Sequence, residues 1–243
     1  MICAYKTETG RRLSNQDYIG VPEEGAKPVF IVADGMGGHR AGDVASLLAV
    51  EAITEYIENS SGSERIQQLL QQSISAANKK IFEAGADAEC YMGMGTTVVM
   101  TYATPEKFFY AHVGDSRLYY FNGTKLVKLT KDHSFVEELV DSGMISPAQA
   151  FRHPQRNILT RAVGTSKYVK ADTAVRSWNQ GDILMLCSDG LYGSIPRSGM
   201  EKILLESSDL NTACEMLVQL AYENGSRDNI TVMLIKNDGG AAV

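Results

Sequence analysis

TTVVMTYATPEKFFYAHVGDSRLYYFNGTKLVKL, residues 96–129, is the stretch that decides the fold. Its apolar residues follow a two-residue period, which matches the pleat of a strand and not the turn of a helix. Thr96–Ala103, Lys107–Val113, Ser116–Phe121 and Lys125–Leu129 read as four successive strands. Asn122-Gly123, between the last two, marks a tight hairpin. Connections this short join antiparallel neighbours.

Outward from this centre the period changes. Upstream, Asp43–Glu58 carries Ala45, Leu48, Ala49, Ala52, Ile53, Tyr56 and Ile57 at helical spacing. Asn59-Ser60-Ser61-Gly62-Ser63 breaks that helix, and a second is expected over Glu64–Ala84. Ile2–Thr7, Asp17–Val21 and Val29–Ala33 precede the pair as strands. Downstream, strands Ala171–Ser177 and Asp182–Cys187 lead to helices Gly199–Glu206 and Asn211–Asn224, then to a last strand, Asn229–Lys236. Strands before, between and after helix pairs predict an α+β fold. The expected form is a four-layer αββα sandwich, two antiparallel sheets flanked by helices. One domain is expected over 1–237, with an inserted flap at about 132–164 and a flexible tail at 238–243. The flap holds a short helix (Phe135–Ser142), Gly143, a Ser146-Pro147 helix start and a basic polar stretch from Arg152 to Asn157.

Composition narrows the function. In 243 residues, 44% are hydrophobic and 21% charged, which is a globular balance. A net charge of −6 without any basic block argues against nucleic acid. No apolar run approaches a membrane span, and Met1–Lys6 does not read as a signal peptide. Cys3, Cys90, Cys187 and Cys214 are scattered, which suits reduced thiols in a cytoplasm and disfavours a zinc site or a disulfide framework.

Two stretches carry nearly the same word: Ala33-Asp34-Gly35 and Ser188-Asp189-Gly190, each after a buried apolar run. A strand end fixes the carboxylate, and the glycine is expected to turn the backbone away and expose a carbonyl. Asp17 and Asp228 lie in similar polar words, Asn15-Gln16-Asp17 and Arg227-Asp228-Asn229. Together they suggest an oxygen-rich site for hard divalent metals. Asp43 and Asp182 read as helix-start and turn residues, His133 and His153 as lid-surface or packing residues. Met92 and Met94 read as core or loop. Asp115 sits where a hairpin turn belongs, so a structural and a functional role both stand. Arg12 reads either as a solvated charge or as a phosphate ligand.

Seven words in order carry a resemblance: Arg12–Asp17, Asp34–His39, Gly95-Thr96-Thr97, Val113–Arg117, Leu129–Ser134, Cys187–Leu191 and Ser226–Thr231. In that order and spacing the chain resembles the metal-dependent serine/threonine protein phosphatases of type 2C, especially the compact bacterial members. The resemblance implies two core Mn2+ or Mg2+ ions, and possible room for a third. It implies that Asp34 bridges the two ions, that the Gly35 carbonyl binds one, and that Asp189 and Asp228 hold the other. Asp17 would support the cluster, Asp115 would help bind a third ion, and Arg12 would grip phosphate oxygens. A pair of such ions shares a water and aims it at phosphorus.

Two positions depart from the family pattern. Met36 stands where eukaryotic relatives place a histidine that acts as general acid. His39 is then a candidate proton donor, with metal-bound water as the alternative. Gln16 stands where many relatives have Glu. The implied substrates are phosphoserine and phosphothreonine proteins, with a membrane-anchored Ser/Thr kinase and its targets as partners. No membrane insertion is expected, and the protein is expected to be monomeric. Two further readings stay open: a catalytically weak binding module of the same fold, and a small-molecule phosphatase. The first would be marked by missing metal carboxylates, and Asp34, Asp189 and Asp228 are all present.

Overall fold

The computed structural model describes residues 1–37, 41–62 and 65–240. In chain order the strands are β1 (Ile2–Glu8), β2 (Asp17–Gly20), β3 (Val29–Met36), β4 (Gly95–Thr96), β5 (Val98–Ala103), β6 (Lys107–Val113), β7 (Arg117–Phe121), β8 (Leu126–Lys128), β9 (Asp172–Ser177), β10 (Ile183–Cys187) and β11 (Ile230–Lys236). The helices are α1 (Gly42–Glu58), α2 (Ile66–Asp87), α3 (Phe135–Asp141), α4 (Pro147–Ala150), α5 (Asp189–Tyr192), α6 (Arg197–Glu206) and α7 (Leu210–Glu223). One antiparallel sheet runs β1-β11-β10-β7-β8, and the other runs β2-β3-β5-β6-β9 with β4 paired to β3. The αββα sandwich is the expected one.

Three apolar layers hold it, and the strands show why. Along β3, Val29, Ile31 and Ala33 join the layer under α1 and α2, while Phe30 and Val32 join the layer between the sheets. Along β10, Ile183, Met185 and Cys187 face α6 and α7, while Leu184 and Leu186 face the other sheet. Both faces of the central strands are buried, so they read as continuous apolar runs. α1 contributes Ala45, Ala49, Ile53 and Ile57 to its layer, and α7 contributes Ala213, Leu217 and Ala221 to the opposite one.

Several boundaries differ from expectation, each for a local reason. Thr96–Ala103 is not one strand. Thr97 breaks it, because its N–H donates to the Asp34 carbonyl at 2.8 Å and its hydroxyl accepts from the Asp34 N–H at 3.1 Å. Gly35 does not turn the backbone away, since β3 continues through it to Met36. The short helix α5 was not foreseen. The expected start of the second helix, Glu64, lies outside the described residues. The segment expected as a flap is locked at both ends. Asp132, His133 and Ser134 are buried at one end, and Ala162 and Val163 at the other. α3 is half-buried, with Val136 covered, and the stretch from residue 141 through α4 to residue 158 is largely exposed. Asp238, expected at the start of a loose tail, accepts a hydrogen bond from Gln180 Nε2 through its carbonyl at 2.9 Å.

Phe108 is fully buried between the sheets, edge-on to Trp178 at 5.5 Å between ring centroids and near Tyr110 and Tyr120. Phe108→Ala is expected to cost about 3–5 kcal/mol, the usual range for a buried aromatic, read from the midpoint of urea unfolding. A loss under about 1 kcal/mol would mean that this layer does not carry the sandwich.

Candidate active site

Five strand ends and loops meet at one end of the sandwich. Asp17 opens β2 and is the register partner of Asp34 on β3. Asp189 opens α5 directly after β10, and Asp228 lies in the turn that enters β11. Asp115 follows Gly114, whose φ of +101° is a conformation that glycine adopts without strain. A hollow of about 440 Å3 is lined by Arg12, Asp34, Asp115, Asp189 and Asp228 among others, with Asp17 buried beside Asp34. Of the sequence candidates, Arg12, Asp17, Asp34, Gly35, Asp115, Asp189 and Asp228 are thus brought together. His39 lies outside the described residues.

The two Asp-Gly words have a different physical basis from the expected turn. A Cβ on Gly35 would overlap the Gly42 carbonyl, where α1 begins, and a Cβ on Gly190 would overlap the Asn229 carbonyl. Each glycine lets a second backbone pass against the strand end that carries the aspartate. Nothing in the sequence around Asn229 announces its role. It proves to be a clamp: its amide donates to the carbonyls of Thr9 and Ser14, and its oxygen accepts from the Gln16 N–H. This fixes the loop that bears Arg12 and Asp17. Ser188 ties the two sheets together by donating to Asp17 Oδ2 at 2.7 Å while accepting from the Thr231 N–H.

The carboxylates are held in an unfavourable state. Burial pushes the Asp17 and Asp115 carboxyls up to about 6. Burial first, then the neighbouring aspartates, raise Asp34 and Asp189 further. Asp17 Oδ1 and Asp189 Oδ1 are buried without a hydrogen-bond partner. Buried acceptors are seldom left so. All these donors are oxygens, and hard divalent cations fit the set. Arg12 stands at the rim, donating to Asp228 Oδ2 at 2.8 Å, so it is neither free-floating nor withdrawn from the hollow.

Beside this cluster lies a neutralised one that the sequence did not reveal. Arg117 forks onto Asp132 through Nε and Nη2, at 2.6–3.1 Å, and lies 3.4 Å from the centroid of the Tyr192 ring. Burial alone would raise Asp132, but Arg117 and Lys128 outweigh it and hold the carboxyl below its ordinary value. Tyr192 in turn donates to Asp115 Oδ2 at 3.0 Å. The words Ser116-Arg117 and Lys131-Asp132 gave no sign of this pairing, because their distance in the chain hides it.

His133 proves to be a packing residue. It stacks on His112 with 4.7 Å between centroids, its Nδ1 accepts from the Gly114 N–H at 3.1 Å, and its Nε2 lies 3.3 Å from Asp172. Burial, then His112, push it down to about 4, so it stays neutral. Candidate ligand atoms of His112, His133 and Asp172 lie within 4.8 Å of one another. Yet the rings are only 13° from parallel, so their in-plane lone pairs do not converge, and the Arg161 guanidinium already occupies the group. The trio anchors the base of the flap and is not built for a cation.

An αββα sandwich that delivers five carboxylates and an arginine to one hollow defines a class, the metal-dependent phosphohydrolases. The description "Protein phosphatase 2C" matches residues 7–223, and the chain belongs to that family. Serine/threonine phosphatase stp of Listeria monocytogenes serotype 4b (strain F2365) is 40% identical over 243 residues, covering 98% of this chain and 96% of that protein. The crystal structure of serine/threonine phosphatase Stp1 from Staphylococcus aureus matches with a TM-score of 0.91 at 35% identity, over 96% of this chain and 94% of that one. The catalytic domain of serine threonine protein phosphatase PstP, in complex with two manganese ions, matches with a TM-score of 0.85 at 30% identity, over 96% of each chain. The enzyme is metal-dependent.

Removing one charge should relieve the cluster. Asp34→Asn is expected to raise the melting temperature of metal-free protein while activity is lost. The raised carboxyl means that the folded wild type binds more protons than the unfolded chain, so its stability falls as pH rises through that range. The gain of Asp34→Asn over wild type is therefore expected to be larger at pH 7.5 than at pH 5, measured by calorimetry in chelator. A gain that is absent, or larger at pH 5, would show that Asp34 is not under like-charge strain.

Proposed function

We propose that the chain hydrolyses phosphoserine and phosphothreonine in proteins, with Mn2+ or Mg2+ ions held in the aspartate-lined hollow. The observation that carries this reading is the pair of buried, partnerless carboxylate oxygens on Asp17 and Asp189 inside an all-oxygen set. Asp34, the Gly35 carbonyl, Asp189 and Asp228 would hold the two core ions. Asp17 would support the cluster, and Asp115 would help hold a third ion. Such ions supply positive charge at the phosphate and lower the pKa of a water.

The chain's own groups do the rest. Arg12 directs a planar guanidinium at the hollow, a shape suited to two phosphate oxygens. Asp228 holds it there through one N–H, which leaves other N–H groups to meet the substrate. Asn229 keeps the loop from shifting, so that the guanidinium does not have to be ordered when substrate arrives. Met36 lines the hollow where a protonatable side chain was an option, and it has no proton to give.

Around this centre we place one domain over 1–237, with the segment at 132–164 as a flap. The partners in this reading are phosphorylated proteins, including a membrane-anchored Ser/Thr kinase and its targets, met in the cytoplasm by a monomer. Among the described residues no helix is long and apolar enough to cross a membrane.

The test is turnover of a phosphothreonine peptide by purified protein. Activity is expected only with added Mn2+ or Mg2+, and none after chelation. Full turnover by protein shown to be metal-free by elemental analysis would overturn the reading.

Arg12→Ala is expected to raise KM about tenfold or more, with a smaller fall in kcat. That is the scale of a charge-assisted hydrogen bond, about 1.5–3 kcal/mol. Arg12→Lys is expected to recover only part of this, because the fork is lost. An unchanged KM in both variants would return Arg12 to the role of a surface charge.

A further inference from the structure

A second hollow, of about 530 Å3, opens off the aspartate-lined one. The two share Arg12, Asp115, Asn157, Asp189 and Asp228, so they form one continuous trough. One wall of the second hollow is apolar, built from Val136 and Val140 on α3, Pro147 and Ala150 on α4, and Phe151 just beyond. Phe151 is 48% exposed, a large apolar side chain open to water beside the site.

One buried charge group of this hollow is closed on itself: Asp132 is paired with Arg117 and Lys128, and Lys128 also lies 3.8 Å from Glu137. Arg156 and Arg227 also line the hollow, both exposed and with no carboxylate partner among the described residues, and the aspartates are those of the first hollow. A charged side chain laid against the α3–α4 wall would lose water there, and the buried Arg117–Asp132 pair is already closed. An apolar one would exchange water for the α3–α4 wall, which favours its binding.

The occupant follows from continuity. A phosphorylated residue whose phosphate sits among the five aspartates brings its own flanking chain with it. An extended chain advances about 3.3 Å per residue, so side chains one to three positions away reach the adjoining hollow. We propose that the α3–α4 hollow receives the substrate residue flanking the phosphorylated one and selects an apolar side chain there. This rests on the phosphatase reading given above.

The experiment uses the full chain and a set of phosphothreonine peptides with alanine at every flanking position. Leucine replaces alanine singly at each position from three before to three after the phosphothreonine, and kcat/KM is compared with that of the all-alanine peptide. Wild type is expected to favour leucine about tenfold or more at one or two positions on one side. Val140→Glu, and separately Phe151→Ser at the exposed end of the wall, are expected to bring that ratio close to one. The ratio is the readout, so a loss common to all peptides does not count. Phe151→Ser changes an exposed residue and tests the idea even if Val140→Glu does not fold. Equal rates for leucine and alanine at every position in wild type would overturn the inference while leaving the phosphatase reading intact. So would a leucine preference that survives in the folded variants. Failure of wild type to cleave any phosphopeptide would instead remove the phosphatase reading itself.

Discussion

Mutual repulsion among Asp17, Asp34, Asp115, Asp189 and Asp228 is the constraint on which the site depends. Burial and neighbouring charge raise the carboxyls of Asp17, Asp34, Asp115 and Asp189, and single hydrogen bonds from Arg12, Ser188 and Tyr192 do not neutralise the cluster. The restraint comes from outside. Asp34 lies on β3, whose alternate side chains are buried in two different apolar layers. Asp189 follows β10, anchored in the same manner. The four-layer architecture therefore does more than bury surface. It makes two strand ends stiff enough to hold charges that would otherwise spread.

The neighbouring Asp132 shows the contrast. It is buried too, yet Arg117 and Lys128 lie within hydrogen-bond distance and its carboxyl is held low. Two groups of aspartates a few residues apart in the fold thus have opposite electrostatic character. One is closed on itself by an arginine stacked on Tyr192. The other is left with oxygens that want a cation. Tyr192 joins them through its bond to Asp115, so the closed group orients a member of the open one.

Much of this was legible in the sequence, for identifiable reasons. The hairpin region 96–129 announced antiparallel strands because its period is two, and the helices on either side because theirs is 3.6. Asp34 and Asp189 were legible because each follows a buried run. What was not legible is what the third dimension adds. The reason for Gly35 was misread, because a glycine needed for the approach of the α1 start looks in sequence like one needed for a turn. The break at Thr97 depends on its two bonds to Asp34, 63 residues away. α5 is one turn long and leaves no periodic trace. The Arg117–Asp132 fork and the His112–His133 stack join residues separated by loops, and no local pattern records them.

In the proposed reading, substrate choice and chemistry fall on different parts of the molecule. The aspartates and Arg12 stand on strand ends and a clamped loop, where a change of position costs packing. α3, half-buried, and α4, largely exposed, lie between the two buried ends of their segment, and one of those ends is pinned by the His133–Asp172–Arg161 group. Such a segment can change its apolar wall without disturbing a single carboxylate. Loops carried by a rigid scaffold tolerate this kind of variation. The buried ends matter here as much as the exposed middle. A segment free at its base would move its wall relative to the aspartates and blur any preference, whereas one fixed at both ends presents Val136, Val140 and Phe151 at a set place beside the hollow. The same anchoring that keeps His133 out of the chemistry gives the chemistry a defined neighbour.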